Sequence, residues 1–235
     1  MNANNLSKRL QLVADSVSRH ARLADIGSDH AYLPVYLAQN HIIEFAIAGE
    51  VAQGPHQNAT NEITKAGLET VISSRLGDGL AVIQANDHIN TVTIAGMGGT
   101  LIANILEAGK EKLAGVSRLI LQPNVGEDRV RRWLMQHDYR ITGEQILAED
   151  RHIYEIIVAD RTSQPISYTD AQLLFGPLLL EKLPNSVFTK KWQAELQRVE
   201  KAIKQMKQAQ QIPVEHIAEL QQKSKLIKKV LQNEN

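Results

Sequence analysis

The feature that most constrains this chain is the alternation of short β-rich runs with helical stretches over its first 160 residues. Strand-like runs fall at 22–26, 45–50, 70–76, 91–95 and 118–122, with helix-like segments near 31–39, 55–66, 100–108 and 127–138 between them. An amphipathic helix is expected ahead of them at 5–19. Such alternation means crossover connections, and hence a parallel sheet covered by helices on both faces. Pro55 suits a first helical turn and Thr100 an N-cap. The pattern then breaks. Runs at 140–148 and 152–160 are separated only by Glu149-Asp150-Arg151, which leaves room for a hairpin but not for a helix. A mostly parallel sheet ending in an antiparallel hairpin departs from a plain dinucleotide-binding fold.

It has the shape of a class I methyltransferase instead, an α/β, Rossmann-like sheet. Thirteen of the 14 glycines precede residue 160, so ligand-cradling loops belong to that part. Pro165, Pro177 and Pro184 cluster where the pattern changes. Beyond them a helix is expected at 169–183. Trp192, Leu196, Val199, Ile203 and Met206, and then Ile217, Leu220, Ser224, Ile227 and Leu231, recur at spacings of four and three. Two such helices interrupted at Ile212-Pro213 form an antiparallel hairpin. The reading is a catalytic domain over 1–162 and a small helical coiled-coil domain over 163–235.

Net charge is zero, yet residues 185–235 carry ten Lys and Arg against five Asp and Glu, a basic arm on a neutral-to-acidic body. The absence of cysteine excludes disulfides, zinc-thiolate sites and thiol catalysis. No acidic or histidine cluster has metal-ligand spacing, so no metal is expected. No apolar run approaches the roughly 18 residues that span a bilayer. The start shows no signal-peptide pattern, and a cytoplasmic location without membrane contact is expected. The sequence does not fix the oligomeric state, and a monomer is the simpler expectation.

The strongest local signal is Ala24-Asp-Ile-Gly-Ser-Asp-His-Ala31 at the first strand-to-helix turn. Gly27 lets backbone approach a cofactor, with Ser28 following it, but the dinucleotide string G-x-G-x-x-G is absent. Asp25, two residues earlier, suits an amino-acid-bearing cofactor whose ammonium it would attract; the alternative is a helix cap. Glu50 ends the second strand 23 residues after Gly27, near the spacing at which a carboxylate grips ribose hydroxyls; the alternative is a solvated strand-end acid. Gly77-Asp78-Gly79 follows the third strand, where Asp78 is either an acceptor for an adenine amino group or an ordinary turn residue. Ala95-Gly96-Met97-Gly98-Gly99 follows the fourth, either a tight turn or backbone lying against a flat ligand. The Asn/Asp-Pro-Pro-Tyr/Phe string of many amino-methyltransferases is missing there, so acceptor contacts must come from backbone or from other residues.

In this order, Asp-Ile-Gly-Ser-Asp-His-Ala-Tyr-Leu-Pro34, Ile-Ala-Gly-Glu50, Leu-Gly-Asp-Gly79, Ile-Ala-Gly-Met-Gly-Gly99 and Leu-Ile-Leu-Gln-Pro-Asn124 resemble one bacterial family, the tRNA (adenine-22-N1)-methyltransferases (TrmK). The resemblance runs from about residue 6 to 160 and, more loosely, into the helical tail. It implies S-adenosyl-L-methionine as methyl donor, tRNA as partner, and a C-terminal coiled coil that helps hold the RNA.

Adenine N1 carries an in-plane lone pair and needs no deprotonation, but the methylated ring is cationic. A carboxylate beside it would stabilise that charge as it develops. Asp29 is the candidate, with an N-cap as its alternative role. His30, Tyr32 and Asn124 are candidates for touching the base; the alternatives are a packed or solvated side chain for His30, a core position for Tyr32 and a helix cap for Asn124. The base must leave its stack, so grip on the phosphate backbone should supply most of the binding energy. Lys8, Arg9, Lys190 and Lys191, with the lysines of the tail, are candidates, against a merely solvated helix face. A methyltransferase for another RNA, a protein or a small molecule, and a non-catalytic tRNA-binding protein of the same fold, stay open on the motifs alone.

Overall fold

The computed structural model describes residues 2–208 and 213–232. Five parallel strands carry the fold: β1 (Ala21–Ile26), β2 (Ile43–Glu50), β3 (Ile72–Leu76), β4 (Thr91–Met97) and β5 (Arg118–Pro123). The middles of β2 and β5 are continuous apolar runs because both faces are covered. Leu23 and Ala24 are both fully buried, yet they belong to different hydrophobic clusters, one on each side of the sheet. Alternating side chains of a single strand thus feed two separate cores.

The helices of this part are α1 (Lys8–Asp15), α2 (Tyr32–Gln39), α3 (Gln53–Ala66), α4 (Gly99–Ala108) and α5 (Glu127–Gln136). The two last strands, β6 (Tyr139–Glu149) and β7 (His152–Arg161), form the hairpin, joined through Asp150 and Arg151, both at positive φ. That left-handed pair matches the twist of its flanking strands. The sheet order is β3-β2-β1-β4-β5-β7-β6, with β7 antiparallel to β5. The order reverses between β1 and β4, so the carboxyl ends of these strands flank the crevice where such sheets bind ligands.

Three local expectations are corrected. The first helix spans only 8–15 rather than 5–19: the Ser7 hydroxyl caps Leu10 N–H, and the Glu149 carboxylate takes the N–H groups of Lys8 and Arg9. Thr100 lies inside α4, and Gly98 is its N-cap. The expected 169–183 helix is two pieces, α6 (Asp170–Phe175) and α7 (Pro177–Glu181). Thr169 starts the first piece with a capping box. Gly176, at φ 92°, ends it, where an added Cβ would lie 2.7 Å from the Glu144 carboxylate oxygens.

The chain divides into two compact units between Leu178 and Leu179. The stretch preceding that boundary packs with the first unit, since Arg131 of α5 donates to the Leu173 and Leu174 carbonyls. The second unit contains α8 (Ser186–Met206) and α9 (Val214–Gln232), packed along the seam read from the spacing. Trp192, Val199, Ile217, Ser224 and Ile227 are buried. Asn185 caps α8, and Glu195–Lys223 and Glu200–Lys228 pair the two helices, each at 2.7 Å. Ile212, part of the expected break, lies outside the described residues.

Candidate active site

Asp25 is the penultimate residue of β1 and is buried, accepting from the Ser28 and Thr93 hydroxyls, each at 2.6 Å. Burial pushes its carboxyl up to about 6, the two hydroxyls pull it down, and the Glu50 charge adds to the rise. After it the chain turns at Gly27, φ 70°, where a Cβ would come 2.2 Å from the Met97 methyl. Gly27 and Ser28 both donate their N–H groups to the Gly49 carbonyl, which locks this turn to the end of β2.

Asp29, His30 and Ala31 are then all left-handed, at φ 35°, 60° and 54°. Three such residues in succession, none of them glycine, mark a strained segment of the kind that gathers at functional sites. It is held by a bond from the Asp29 N–H to Glu50 Oε1. Glu50 is buried at the tip of β2 and its carboxyl is raised, chiefly by burial. Among the described residues its side chain accepts no second hydrogen bond, so it keeps acceptor capacity for a ligand hydroxyl.

The Asp29 side chain is 76% exposed and caps nothing; Ala31 is the N-cap of α2 and has no side-chain cap bond. His30 lies 3.6 Å from the Asp29 carboxylate and stacks on Tyr32 at 5.2 Å between ring centroids. Asp78 is exposed, its side chain caps no backbone N–H, and it is flanked by Gly77, whose N–H binds the Glu50 carbonyl, and by Gly79 at φ 51°. Behind this turn, Arg75 and Asp87 make a bidentate pair at 2.6 and 2.7 Å.

At the end of β4, Ala95 and Met97 are half-buried while Gly96, at φ 80°, is exposed. Asn124 does not cap a helix. Gly126 is the N-cap of α5, and the Asn124 amide donates to the Gly96 carbonyl at 2.8 Å. Gly99 and Gly126 meet so closely that a Cβ on Gly99 would sit 2.0 Å from the Gly126 oxygen, so the first turns of α4 and α5 touch backbone to backbone.

The structure thus brings together Asp25, Gly27, Ser28, Asp29, Glu50, Gly77, Gly96 and Met97 through direct contacts at the carboxyl edge of the sheet. Arg9 is also brought in: its guanidinium binds Gln122 Oε1 and lies over the Tyr154 ring. Lys8 is exposed. Lys190 and Lys191 belong to the second unit, where Lys191 lies 5.3 Å from the Trp192 ring centroid. Sequence reasoning missed Thr93 and Gln122, both fully buried polar residues. Their signal was a polar residue inside an otherwise apolar strand run. Among the described residues, no group of three acidic or histidine side chains is placed to hold a metal, and no helix is long and apolar enough to cross a membrane.

A sheet in this order, with carboxylates at the tips of its first two strands and glycine turns after the first, third and fourth, defines the class I methyltransferases. Within that class, the family model described as tRNA (adenine(22)-N(1))-methyltransferase, TrmK, matches residues 23–232. A Bacillus subtilis tRNA (adenine(22)-N(1))-methyltransferase is 45% identical over 98% of this chain and 99% of its own. A Streptococcus pneumoniae structure in complex with S-adenosyl-L-methionine superposes with a TM-score of 0.87 at 44% identity, covering 97% of this chain and 100% of that one. M. capricolum TrmK, in complex with S-adenosyl-homocysteine, gives a TM-score of 0.86 at 29% identity, over 98% of this chain and 99% of that one. The chain belongs to the tRNA (adenine(22)-N(1))-methyltransferase family.

Proposed function

We propose that this protein transfers a methyl group from S-adenosyl-L-methionine to N1 of adenine 22 in bacterial tRNA, acting in the cytoplasm. The observation that carries the reading is the pairing of Asp25 and Glu50, two buried carboxylates at adjacent strand tips around the left-handed turn of Gly27. The residues fit the donor: Gly27 has no room for a side chain, and Glu50 retains acceptor capacity. Asp25, Gly27 and Ser28 would hold its amino-acid part, Glu50 its ribose, and the Gly77-Asp78-Gly79 turn its adenine. Ala95, Gly96 and Met97 would lie on the β4 side between the donor's methyl end and the acceptor base, with the Gly96–Met97 backbone turned to the base. When bound, the donor supplies an electrophilic methyl group on a sulfonium.

The chain's own task is alignment, exclusion of water and charge. The Asp29 carboxylate, exposed on a backbone pinned by Glu50, would face the ring that becomes cationic on methylation. Stacked His30 and Tyr32 offer a flat surface beside it. The exposed Lys8 and Lys190, with Lys191 and the lysines along α8 and α9, supply the grip on phosphate that does not depend on sequence. Incubation with labelled S-adenosylmethionine and unmodified bacterial tRNA, followed by nucleoside analysis, tests the reading. 1-Methyladenine at position 22 is expected, and its absence, or label in protein instead, would sink it.

A further inference from the structure

The end of β4 and the turn that follows have no polar side chain between Ala95 and Gly99, so side-chain control of this backbone has to come from elsewhere. Gln122, at the end of β5 and fully buried, provides it. Its Oε1 accepts the Gly96 N–H at 3.0 Å and the Arg9 guanidinium. Its Nε2 donates to the Pro123 carbonyl at 3.0 Å and to Asn124 Oδ1 at 3.1 Å. Two donors on one side and two acceptors on the other fix which way the amide points. Asn124 extends the chain of bonds, giving its Nδ2 to the Gly96 carbonyl at 2.8 Å and its backbone N–H to the Met97 carbonyl at 2.7 Å. The left-handed, exposed Gly96 is therefore held at both its N–H and its C=O by a relay centred on Gln122.

We propose that Gln122 is a positioning residue for methyl transfer, which with Arg9 and Asn124 fixes the Gly96–Met97 backbone against which the acceptor adenine lies. The inference rests on the reading of this strand edge as the acceptor side. It also gives Arg9 and Asn124 work other than touching RNA. A carboxylate at 122 would lack the N–H groups for Pro123 and Asn124, and an apolar side chain would strand the Gly96 N–H and the Arg9 charge.

The test is steady-state methylation of tRNA by Gln122→Met, with cofactor affinity measured by calorimetry. Expected is a kcat about tenfold or more below wild type, the scale of buried hydrogen bonds removed from an aligned site, with the cofactor Kd within about twofold. A folded variant with wild-type kcat, or with cofactor affinity falling in parallel, would overturn the proposal. Should Gln122→Met not fold, Arg9→Met decides. A kcat lowered about threefold or more with tRNA KM within about twofold supports positioning, whereas a raised KM at unchanged kcat makes Arg9 an RNA contact and overturns it. Failure of the underlying functional reading is distinct, because wild-type protein would then form no 1-methyladenine.

Discussion

Glu50 accepts the backbone N–H of Asp29 through Oε1, tying the tip of the second strand to the strained loop that follows the first. The bond separates two roles within one residue, because the backbone of Asp29 is fixed by Glu50 while its carboxylate stays exposed. Side-chain and main-chain functions at this position are therefore separable by mutation.

Asp29→Ala should leave that loop in place. Cofactor affinity by calorimetry is expected to stay within about twofold of wild type, and turnover to fall roughly tenfold or more, the scale of one charge interaction with the reacting ring. Unchanged turnover with 1-methyladenine still formed would remove Asp29 from the chemistry.

Asp25 makes the apo-protein's stability fall with pH over a defined window. Its carboxyl, raised from 3.8 to about 6, keeps its proton in the folded state where the unfolded chain has already lost it. Its contribution is therefore greatest below 3.8 and is lost as the pH rises to about 6. Asp25→Asn should abolish this slope and leave the apo-protein on the order of 1–3 kcal/mol more stable near neutrality, read by urea denaturation on either side of the window. The same substitution should weaken cofactor binding, since an ammonium group needs the ionised carboxylate. In the wild type, affinity should tighten as the pH rises through about 6.

Arg131 is fully buried between Glu144 and Glu155, bonded to Glu144 at 2.7 Å and to Glu155, and it also donates to the Leu173 and Leu174 carbonyls. Removing one partner of such a set leaves charge in the interior. Arg131→Ala should cost about 3–5 kcal/mol in chemical denaturation. Adding Glu144→Gln and Glu155→Gln to Arg131→Met should recover a good part of that, and no recovery would mean packing rather than charge sets the cost.

Lys225 and Lys229 are exposed on α9. If they meet phosphate, Lys225→Ala with Lys229→Ala weakens tRNA binding and lowers the slope of log affinity against log salt by about one for each lysine that neutralises a phosphate. Equal affinity and equal slope would assign these lysines to a merely solvated face.

Most of the sheet was legible because its strands are short apolar runs bounded by glycine or polar turns, as at Ile47 and Leu121. The hairpin was legible from the brevity of its Glu149-Asp150-Arg151 link. Less visible was whatever depends on residues far apart in the chain. Beside the local Ser7 cap, Glu149 takes the first N–H groups of the first helix from about 140 residues away, a contact that no local pattern reports. Gly176 ends α6 because Arg131 and Glu144 fill the space its side chain would need. At the site, acidic residues after strands stood out, whereas Thr93 and Gln122 looked like ordinary interruptions of apolar runs. Asp29 and Asn124 each had a helix cap as the alternative, and that alternative was removed only by seeing Ala31 and Gly126 in the cap positions.

The bonds from Glu149 to Lys8 and Arg9, and from Gln122 to Arg9, have a consequence for synthesis. A nascent chain has made α1 long before the ribosome reaches either partner. Until the hairpin emerges, Lys8 and Arg9 still lack the carboxylate that takes their N–H groups. The start of this part of the polypeptide is therefore completed only once its far end has been made.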